Sequence, residues 1–285
     1  MWQERRRAFR RILDGSACVH PASVFDPLSA RMAEKLGFEI TMLAGSLASY
    51  VVLGDPDIGL MSLPELAAQA GRIGRAGGLP LLVDADHGFG NALNVARTIV
   101  ELENVGVSAV SIEDTALPLP YGQRGVAFIS INEMVGKLRA AVAARHDPEM
   151  VVVGRTTWRA GDTVADLVGR AGAYAATGID ALFVVGLRET AALEAVAAAA
   201  RLPLILGGAS PAMGDAAQLA RHGVRISLQG HQPFLAALRA AFETMRALRA
   251  GTKPGDLPGG GEALLAELTH ADSFEKAIAA YLRDD

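Results

Sequence analysis

The sequence has few of the features that disulfide-bonded, membrane-spanning or polyanion-binding proteins need. Its single cysteine, Cys18, excludes an internal disulfide bond and is typical of a reducing compartment. No apolar run approaches the roughly 20 residues of a membrane span, and segment 1–14, although arginine-rich, lacks the apolar stretch of a secretory signal. The formal net charge of −4 gives no electrostatic reason to expect nucleic acid or a membrane as a partner. These absences predict a soluble, cytoplasmic protein.

Apolar runs and helical patterns alternate along almost the whole chain. The 285 residues are 51% hydrophobic, enough to bury one large core. The predicted strands are 18–24, 39–44, 81–84, 109–113, 150–155, 181–185, 203–207 and 224–228. The predicted helices between and after them are 27–36, 63–76, 92–104, 131–145, 163–176, 190–199, 213–221 and 232–250. Eight strands that alternate with eight helices predict an α/β fold of the (β/α)₈ TIM-barrel type.

The alternative fold is an open doubly wound sheet, but the dinucleotide fingerprint expected after its first strand is missing. We therefore expect one barrel domain over residues 1–285. It begins with a short amphipathic helix at 1–14, whose arginines we expect on a solvated face. A Pro/Gly-rich linker follows Gly251, and segment 251–285 is predicted to form extra C-terminal helices. Such a tail can cap its own barrel or reach a neighbouring subunit.

Two carboxylates mark the end of the third predicted strand. Asp84 and Asp86 are two residues apart, so extended geometry sends both side chains to one face. Like charges placed together repel and raise each other's pKa unless a cation holds them. Gly88 and Gly90 then let the following loop lie close to whatever is bound there. This pattern predicts a divalent-metal site.

The ends of other predicted strands also carry residues that are typical of active sites. In a barrel, the carboxyl ends of the strands form the active-site face. The set comprises acids, one arginine, one histidine and a Gly-Ser turn: Gly45, Ser46, Asp55, Asp57, Glu113, Asp114, Arg155 and His231. All of these residues are expected at the same end of the barrel, and together they indicate an active site more strongly than any one of them does alone.

The motifs at these positions resemble those of the isocitrate lyase/phosphoenolpyruvate mutase superfamily, and more closely its oxaloacetate decarboxylase branch. The resemblance rests on six segments: 44–46 (AGS), 57–59 (DIG), 83–91 (VDADHGFGN), 112–114 (IED), 154–156 (GRT) and 230–231 (GH). It implies Mg²⁺, or alternatively Mn²⁺, at the barrel mouth, chelated by an α-keto acid or its enolate. Asp84 would then be the direct metal ligand, and Asp57, Asp86 and Glu113 would hold its waters, an arrangement that suits Mg²⁺.

The resemblance also implies roles for the remaining residues. Gly45 and Ser46 would bind the substrate carboxylate, and Arg155 would contact both that carboxylate and the developing enolate oxygen. His231 would position the departing carboxylate or relay a proton to C3. The implied substrate is a small α-keto dicarboxylate, and the implied assembly is a homotetramer, a dimer of dimers that exchange C-terminal helices.

One departure from the superfamily narrows the reaction. Its carbon–carbon lyases carry a catalytic cysteine after strand four, within a Lys-Arg-Cys-Gly-His type of motif, whereas segment 115–124 contains no cysteine. We therefore expect Mg²⁺-dependent decarboxylation of oxaloacetate to pyruvate and CO₂ through a metal-stabilised enolate, with Arg155 and His231 as catalytic residues. The alternatives are a carbon–carbon lyase, a phosphoenolpyruvate hydrolase or mutase, and a non-catalytic barrel that binds dicarboxylates.

Overall fold

The predicted barrel is confirmed by the strand arrangement of a computed structural model, which describes residues 2–125, 127–159 and 161–283. Eight parallel strands follow one another in chain order. They are β1 (Ala22–Ser23), β2 (Thr41–Leu43), β3 (Leu81–Asp84), β4 (Ala109–Glu113), β5 (Val151–Thr157), β6 (Ala181–Val185), β7 (Leu204–Leu206) and β8 (Val224–Ser227). Val19 forms a parallel bridge with Ile226, so the segment before β1 pairs with β8 and closes the ring.

Twelve helices flank or follow the sheet in the described part of the chain, and several of them begin at a residue whose side chain caps the first turn. They are α1 (Trp2–Asp14), α2 (Pro27–Lys35), α3 (Gly45–Val52), α4 (Leu63–Ala76), α5 (Ala92–Asn104), α6 (Ile131–Ala144), α7 (Val164–Ala175), α8 (Thr190–Ala200), α9 (Ala216–Arg221), α10 (Gln232–Arg249), α11 (Glu262–Leu268) and α12 (Ala271–Leu282). Asp26 caps α2 ahead of Pro27, for example, and Ser62 forms a capping box with Glu65 at the start of α4.

Two helices differ from the sequence-based prediction. Helix α3 was not expected, because the Gly45-Ser46 pair that starts it was interpreted as a turn. The helix predicted at 213–221 begins only at Ala216: Gly214 has a left-handed backbone (φ 89°), and Asp215 caps the helix after it. The first difference matters for the site, since it places the first turn of a helix at the end of β2.

The N-terminal helix α1 is more buried against the barrel than expected. Phe9 and Leu13 pack into the barrel core with strand residues such as Leu82 and Val151. The expectation that its arginines are all solvated was wrong, because Arg6 is only 5% exposed and bonds to Asp147 at 2.7 Å. A buried guanidinium needs a charged partner, and the partner here lies far along the chain.

The chain forms two compact units by its internal contacts: the first ends at His231 and the second begins at Gln232. The first contains the sheet with α1–α9, and the second contains α10, α11 and α12. Helix α10 carries exposed apolar side chains, among them Leu238, Phe242 and Met245. The exchange of C-terminal helices between subunits stays a prediction. Among the described residues, no helix combines the length and apolar composition needed to cross a membrane.

Candidate active site

Three neighbouring strands bring one arginine and two carboxylates together at the barrel mouth. Asp84 ends β3, Glu113 ends β4, and Arg155 lies beside Glu113 on β5. Arg155 forms an ion pair with Asp84 through Nη1, and its Nη2 lies 3.1 Å from Glu113 Oε2. Ser111 Oγ donates a hydrogen bond to the other oxygen of Asp84 at 3.0 Å. The two carboxylates are therefore held in fixed positions around the guanidinium.

The two carboxylate partners of Arg155 leave its Nε–H without an acceptor. Its Nε is buried and has no hydrogen-bond partner within the described parts of the chain. The Phe183 ring lies beneath the guanidinium, with its centroid 5.3 Å away. Burial alone would lower the pKa of Arg155, but Asp84 and Glu113 raise it overall, so the group stays charged. A fixed cation with a spare N–H is suited to an anionic ligand.

Asp86 extends the cluster toward α3. Its backbone is left-handed (φ 47°), and its carboxyl group lies so close to Gly45 that a Cβ at position 45 would clash with it. Glycine at 45 therefore lets the Asp86 carboxyl group lie against the start of α3. Because Gly45 is the first residue of α3 and Ala44 before it has no capping side chain, the first-turn amide groups of α3 face the same mouth without an N-cap.

The cluster holds more negative charge than Arg155 balances. Burial, followed by the charges of Asp84, Asp57 and Glu113, raises the pKa of Asp86 to about 8. Burial also raises the pKa of Glu113, although Arg155 opposes the shift. Asp57 lies on the exposed loop between α3 and α4, where partial desolvation and the charge of Asp84 raise its pKa. Carboxylates that resist ionisation together indicate a site that a cation would stabilise.

The donor set fits the chemistry of a magnesium ion. In the part of the chain that the structure describes, no group of three His, Cys, Asp or Glu side chains is arranged to hold a metal directly. Mg²⁺ typically keeps several waters and takes one or two direct carboxylates. An all-carboxylate set with excess negative charge matches that preference. The assignment of Asp84 as direct ligand, with Asp57, Asp86 and Glu113 behind waters, stays a prediction.

His231 faces the start of α3 from just beyond β8. Its Nε2 lies 3.5 Å from Ser46 Oγ, and its Nδ1 lies 3.1 Å from Ser23 Oγ on β1. Burial lowers the pKa of His231, and the charge of Asp84 opposes that shift. The structure therefore brings His231 to the predicted carboxylate-binding pair Gly45–Ser46, while its catalytic role stays a prediction.

Asp114 does not join this cluster, although it follows Glu113 directly. It is fully buried, and its Oδ2 accepts hydrogen bonds from Thr156 Oγ1 and Tyr174 Oη at 2.7 Å and from Arg170 Nη1 at 3.0 Å. Arg170 also donates to the Ile129 carbonyl at 3.3 Å. This network ties together the two ends of the loop after β4, the loop in which the cysteine of related lyases would lie.

Sequence reasoning missed the partners of Asp114 and also Lys137. Lys137 is 3% exposed, and its Nζ donates to the His87 carbonyl at 3.0 Å, which braces the loop that carries Asp86. Burial and the charge of Lys137 lower the pKa of His87 to about 4, so that side chain stays neutral. A buried lysine on a helix face gives no sequence signal of its own. Ser23, by contrast, ends a strand and could have been found by the rule that identified Asp84.

The Asp114 network predicts a large stability effect. Asp114→Ala removes the carboxylate that pairs with Arg170 and the acceptor of the buried Tyr174 hydroxyl, so we expect the free energy of unfolding to fall by about 3–5 kcal/mol. Urea denaturation followed by circular dichroism measures this. Asp55→Ala, on an exposed loop, is the control and should change the free energy by less than about 0.5 kcal/mol. Equal stability of the two variants would contradict the role of the network.

Known proteins are similar to this chain over most of its length. The family described as "Phosphoenolpyruvate phosphomutase" matches residues 9–249. A protein named oxaloacetate decarboxylase from Rhodopseudomonas palustris (strain BisB18) is 54% identical over 258 residues, 90% of each chain. Another of that name, from strain BisA53, is 49% identical over 99% of this chain and 98% of its own.

Solved structures are similar over nearly their whole length. A phosphoenolpyruvate phosphomutase from Streptomyces platensis subsp. rosaceus has a TM-score of 0.84 at 26% identity, covering 98% of this chain and 99% of its own. An oxaloacetate acetylhydrolase in complex with the inhibitor 3,3-difluorooxalacetate has a TM-score of 0.83 at 26% identity, covering 99% and 98%. A phosphonopyruvate hydrolase in complex with oxalate and Mg²⁺ has a TM-score of 0.81 at 28% identity, covering 98% and 99%.

Proposed function

The chain belongs to the phosphoenolpyruvate phosphomutase family, and from that premise we propose that it is a Mg²⁺-dependent oxaloacetate decarboxylase that forms pyruvate and CO₂. The observation that carries the proposal is Arg155, fixed between Asp84 and Glu113 with its Nε–H uncommitted. Relatives at about half identity over most of the chain are named for this reaction, and structures of similar fold hold oxalate or a fluorinated oxaloacetate.

The position of the only cysteine argues against a thiol-dependent lyase. Cys18 immediately precedes Val19, the residue that bridges β8, and it lies before β1. It therefore lies toward the N-terminal end of the strands, opposite the ends that carry Asp84 and Arg155. Burial raises its pKa to about 11, so it is a thiol at neutral pH. A reaction that needs no covalent nucleophile fits this chain better.

Substrate binding uses the start of α3. The amide groups of Gly45 and Ser46 open the helix, and the positive end of the helix dipole favours a carboxylate at that position. The Ser46 hydroxyl and His231 Nε2 lie 3.5 Å apart beside these amide groups. These groups would hold the oxaloacetate carboxylates with the C3–C4 bond across the barrel mouth.

Arg155 stabilises the charge that forms when this bond breaks. Loss of CO₂ from C4 leaves an electron pair at C3, which delocalises onto the C2 oxygen as an enolate. The Arg155 guanidinium is already oriented by its two carboxylate partners, so it donates to that oxygen without reorganisation. Asp84, together with Asp57, Asp86 and Glu113, would hold Mg²⁺, and the bound ion would supply Lewis-acid stabilisation of the same charge.

His231 takes part in the proposed reaction through the proton on its ring. Its pKa is lowered by burial, so the ring is largely neutral at pH 7 and carries one N–H. A proton on Nε2 would bond the departing carboxylate. C3 of the enolate takes up one proton to give pyruvate. That proton comes from solvent, either directly or by way of the ring, which then takes a proton back from solvent and stays neutral.

Product analysis distinguishes this function from its alternatives. We expect oxaloacetate incubated with the protein and MgCl₂ to give equimolar pyruvate and CO₂, quantified by chromatography and ¹³C NMR. Oxalate with acetate would instead indicate carbon–carbon hydrolysis, and phosphate release from phosphonopyruvate alone would indicate carbon–phosphorus chemistry. Tight oxalate binding without turnover of any of these substrates would favour the non-catalytic barrel. Each of these three outcomes would contradict the proposal.

A further inference from the structure

Both ring nitrogens of His231 face a serine hydroxyl, and the two serines come from different parts of the barrel. Ser23 belongs to β1, and its Oγ lies 3.1 Å from Nδ1. Ser46 belongs to the first turn of α3, and its Oγ lies 3.5 Å from Nε2. The shorter contact is on the side away from the predicted carboxylate-binding pair. Ser23 therefore contacts the imidazole at Nδ1, and the other ring nitrogen, Nε2, faces Ser46 at the start of α3.

The partner of Nδ1 decides which nitrogen carries the proton. A neutral imidazole has one N–H donor and one acceptor, and the hydrogen bond made by one nitrogen fixes the role of the other. If Ser23 donates to Nδ1, then Nε2 carries the hydrogen. If Ser23 accepts instead, then a bare Nε2 lone pair faces the pocket. Because the proposed substrate is a dianion, the first arrangement attracts it and the second repels it.

We propose that Ser23 is a positioning residue whose hydroxyl donates to His231 Nδ1 and thereby keeps the proton on Nε2, the nitrogen that faces Ser46 and the bound carboxylate. The proposal rests on the proposed function, because it assigns the Nε2–H a substrate to donate to. Ser23 itself acts only through His231. A hydroxyl is suited to this position because it can donate to Nδ1 without placing a charge beside the imidazole ring.

The tautomer is measured directly by ¹⁵N NMR on histidine-labelled protein. Protonated and unprotonated ring nitrogens have well-separated chemical shifts, and His231→Gln identifies the His231 signals by removing them. We expect the resting wild type to show protonated Nε2 and Ser23→Ala to show a mixture of tautomers. Ser23→Thr keeps the hydroxyl and should restore the wild-type pattern. Ser108→Ala is the matched control, because Ser108 is buried beside β4 and its Oγ has no partner within the described residues.

Kinetics tests the consequence for the reaction. The loss of one neutral hydrogen bond predicts a fall in kcat of about tenfold in Ser23→Ala, with unchanged affinity for Mg²⁺ in the presence of oxalate. In a His231→Gln background, Ser23→Ala should cause no further loss, since the two residues act as a unit. Ser108→Ala should match the wild type.

Two results would overturn the proposal: wild-type ¹⁵N shifts in Ser23→Ala, or an equal loss of kcat in the presence and absence of His231. The NMR measurement needs no turnover, so it separates this proposal from the proposed function. A mixed tautomer in Ser23→Ala of a protein that does not decarboxylate oxaloacetate would support the positioning of His231 and overturn only the reaction assigned to the site.

Discussion

Replacing Asp84 by asparagine is expected to remove metal-dependent turnover almost completely, with a fall in kcat/KM of about 10³-fold or more. Metal ions contribute several kcal/mol of charge stabilisation in such reactions, and each 1.36 kcal/mol is a factor of about ten in rate. Asparagine has the shape of aspartate and can keep the hydrogen bond from Ser111, so the loss would come from the missing charge. The measurements are the initial rate of pyruvate formation and a calorimetric titration with Mg²⁺ in the presence of oxalate.

The control for Asp84→Asn is Asp14→Asn, which removes an equal charge from the exposed end of α1. We expect that variant to keep wild-type affinity for Mg²⁺ and most of its activity. Wild-type Mg²⁺ binding in Asp84→Asn would contradict the assignment of Asp84 as the direct ligand. It would move the metal to another member of the acidic cluster.

Replacing Arg155 by lysine is expected to lower kcat/KM for oxaloacetate by about 10²–10³-fold, the usual cost of losing one preorganised donor at a developing charge. Lysine keeps the positive charge, but a single ammonium group cannot reproduce the planar set of donors that bonds Asp84 and Glu113 and retains a free Nε–H. The effect would therefore report geometry rather than charge. Steady-state kinetics at saturating Mg²⁺ measures it.

The control is Arg97→Lys, at an exposed arginine that pairs with Glu101 one helical turn away. That variant should be unchanged in both activity and stability, because exposed pairs contribute little. Circular dichroism of Arg155→Lys checks that the buried acids have not unfolded the barrel. A folded Arg155→Lys with activity within threefold of the wild type would mean that Arg155 only neutralises its neighbours.

Much of the architecture could be predicted from sequence because strand ends in a barrel share one face. Asp84, Glu113 and Arg155 were predicted at that face from their place at the ends of apolar runs, and the structure brings all three into contact. The family resemblance drawn from the same segments is confirmed by the match over residues 9–249. Helix starts such as Ser62 could also be predicted, because the residues that cap a helix lie close together in the sequence.

The sequence-based predictions were wrong where a residue's position depends on a partner that is far away in the sequence. Asp114 was grouped with the mouth acids, but successive residues at a strand end point to opposite sides, and its partner Tyr174 is 60 residues away. Arg6 of the N-terminal helix was expected in solvent, yet its partner Asp147 is 141 residues away. No local pattern reports such pairs. The helix after Gly45 was missed for another reason, because a Gly-Ser pair is equally typical of a turn and of a helix start.

Mg²⁺-dependent decarboxylation assisted by Arg155 is tested most directly by the initial rate of pyruvate formation from oxaloacetate. The rate is measured for the wild type with Mg²⁺, for the wild type with EDTA and for Arg155→Ala with Mg²⁺. Free metal ions decarboxylate oxaloacetate slowly without a protein, so the variant defines that background at an identical metal concentration. We expect a wild-type rate at least about 10²-fold above both controls. Equal rates in the wild type with Mg²⁺ and in Arg155→Ala would contradict the proposed function.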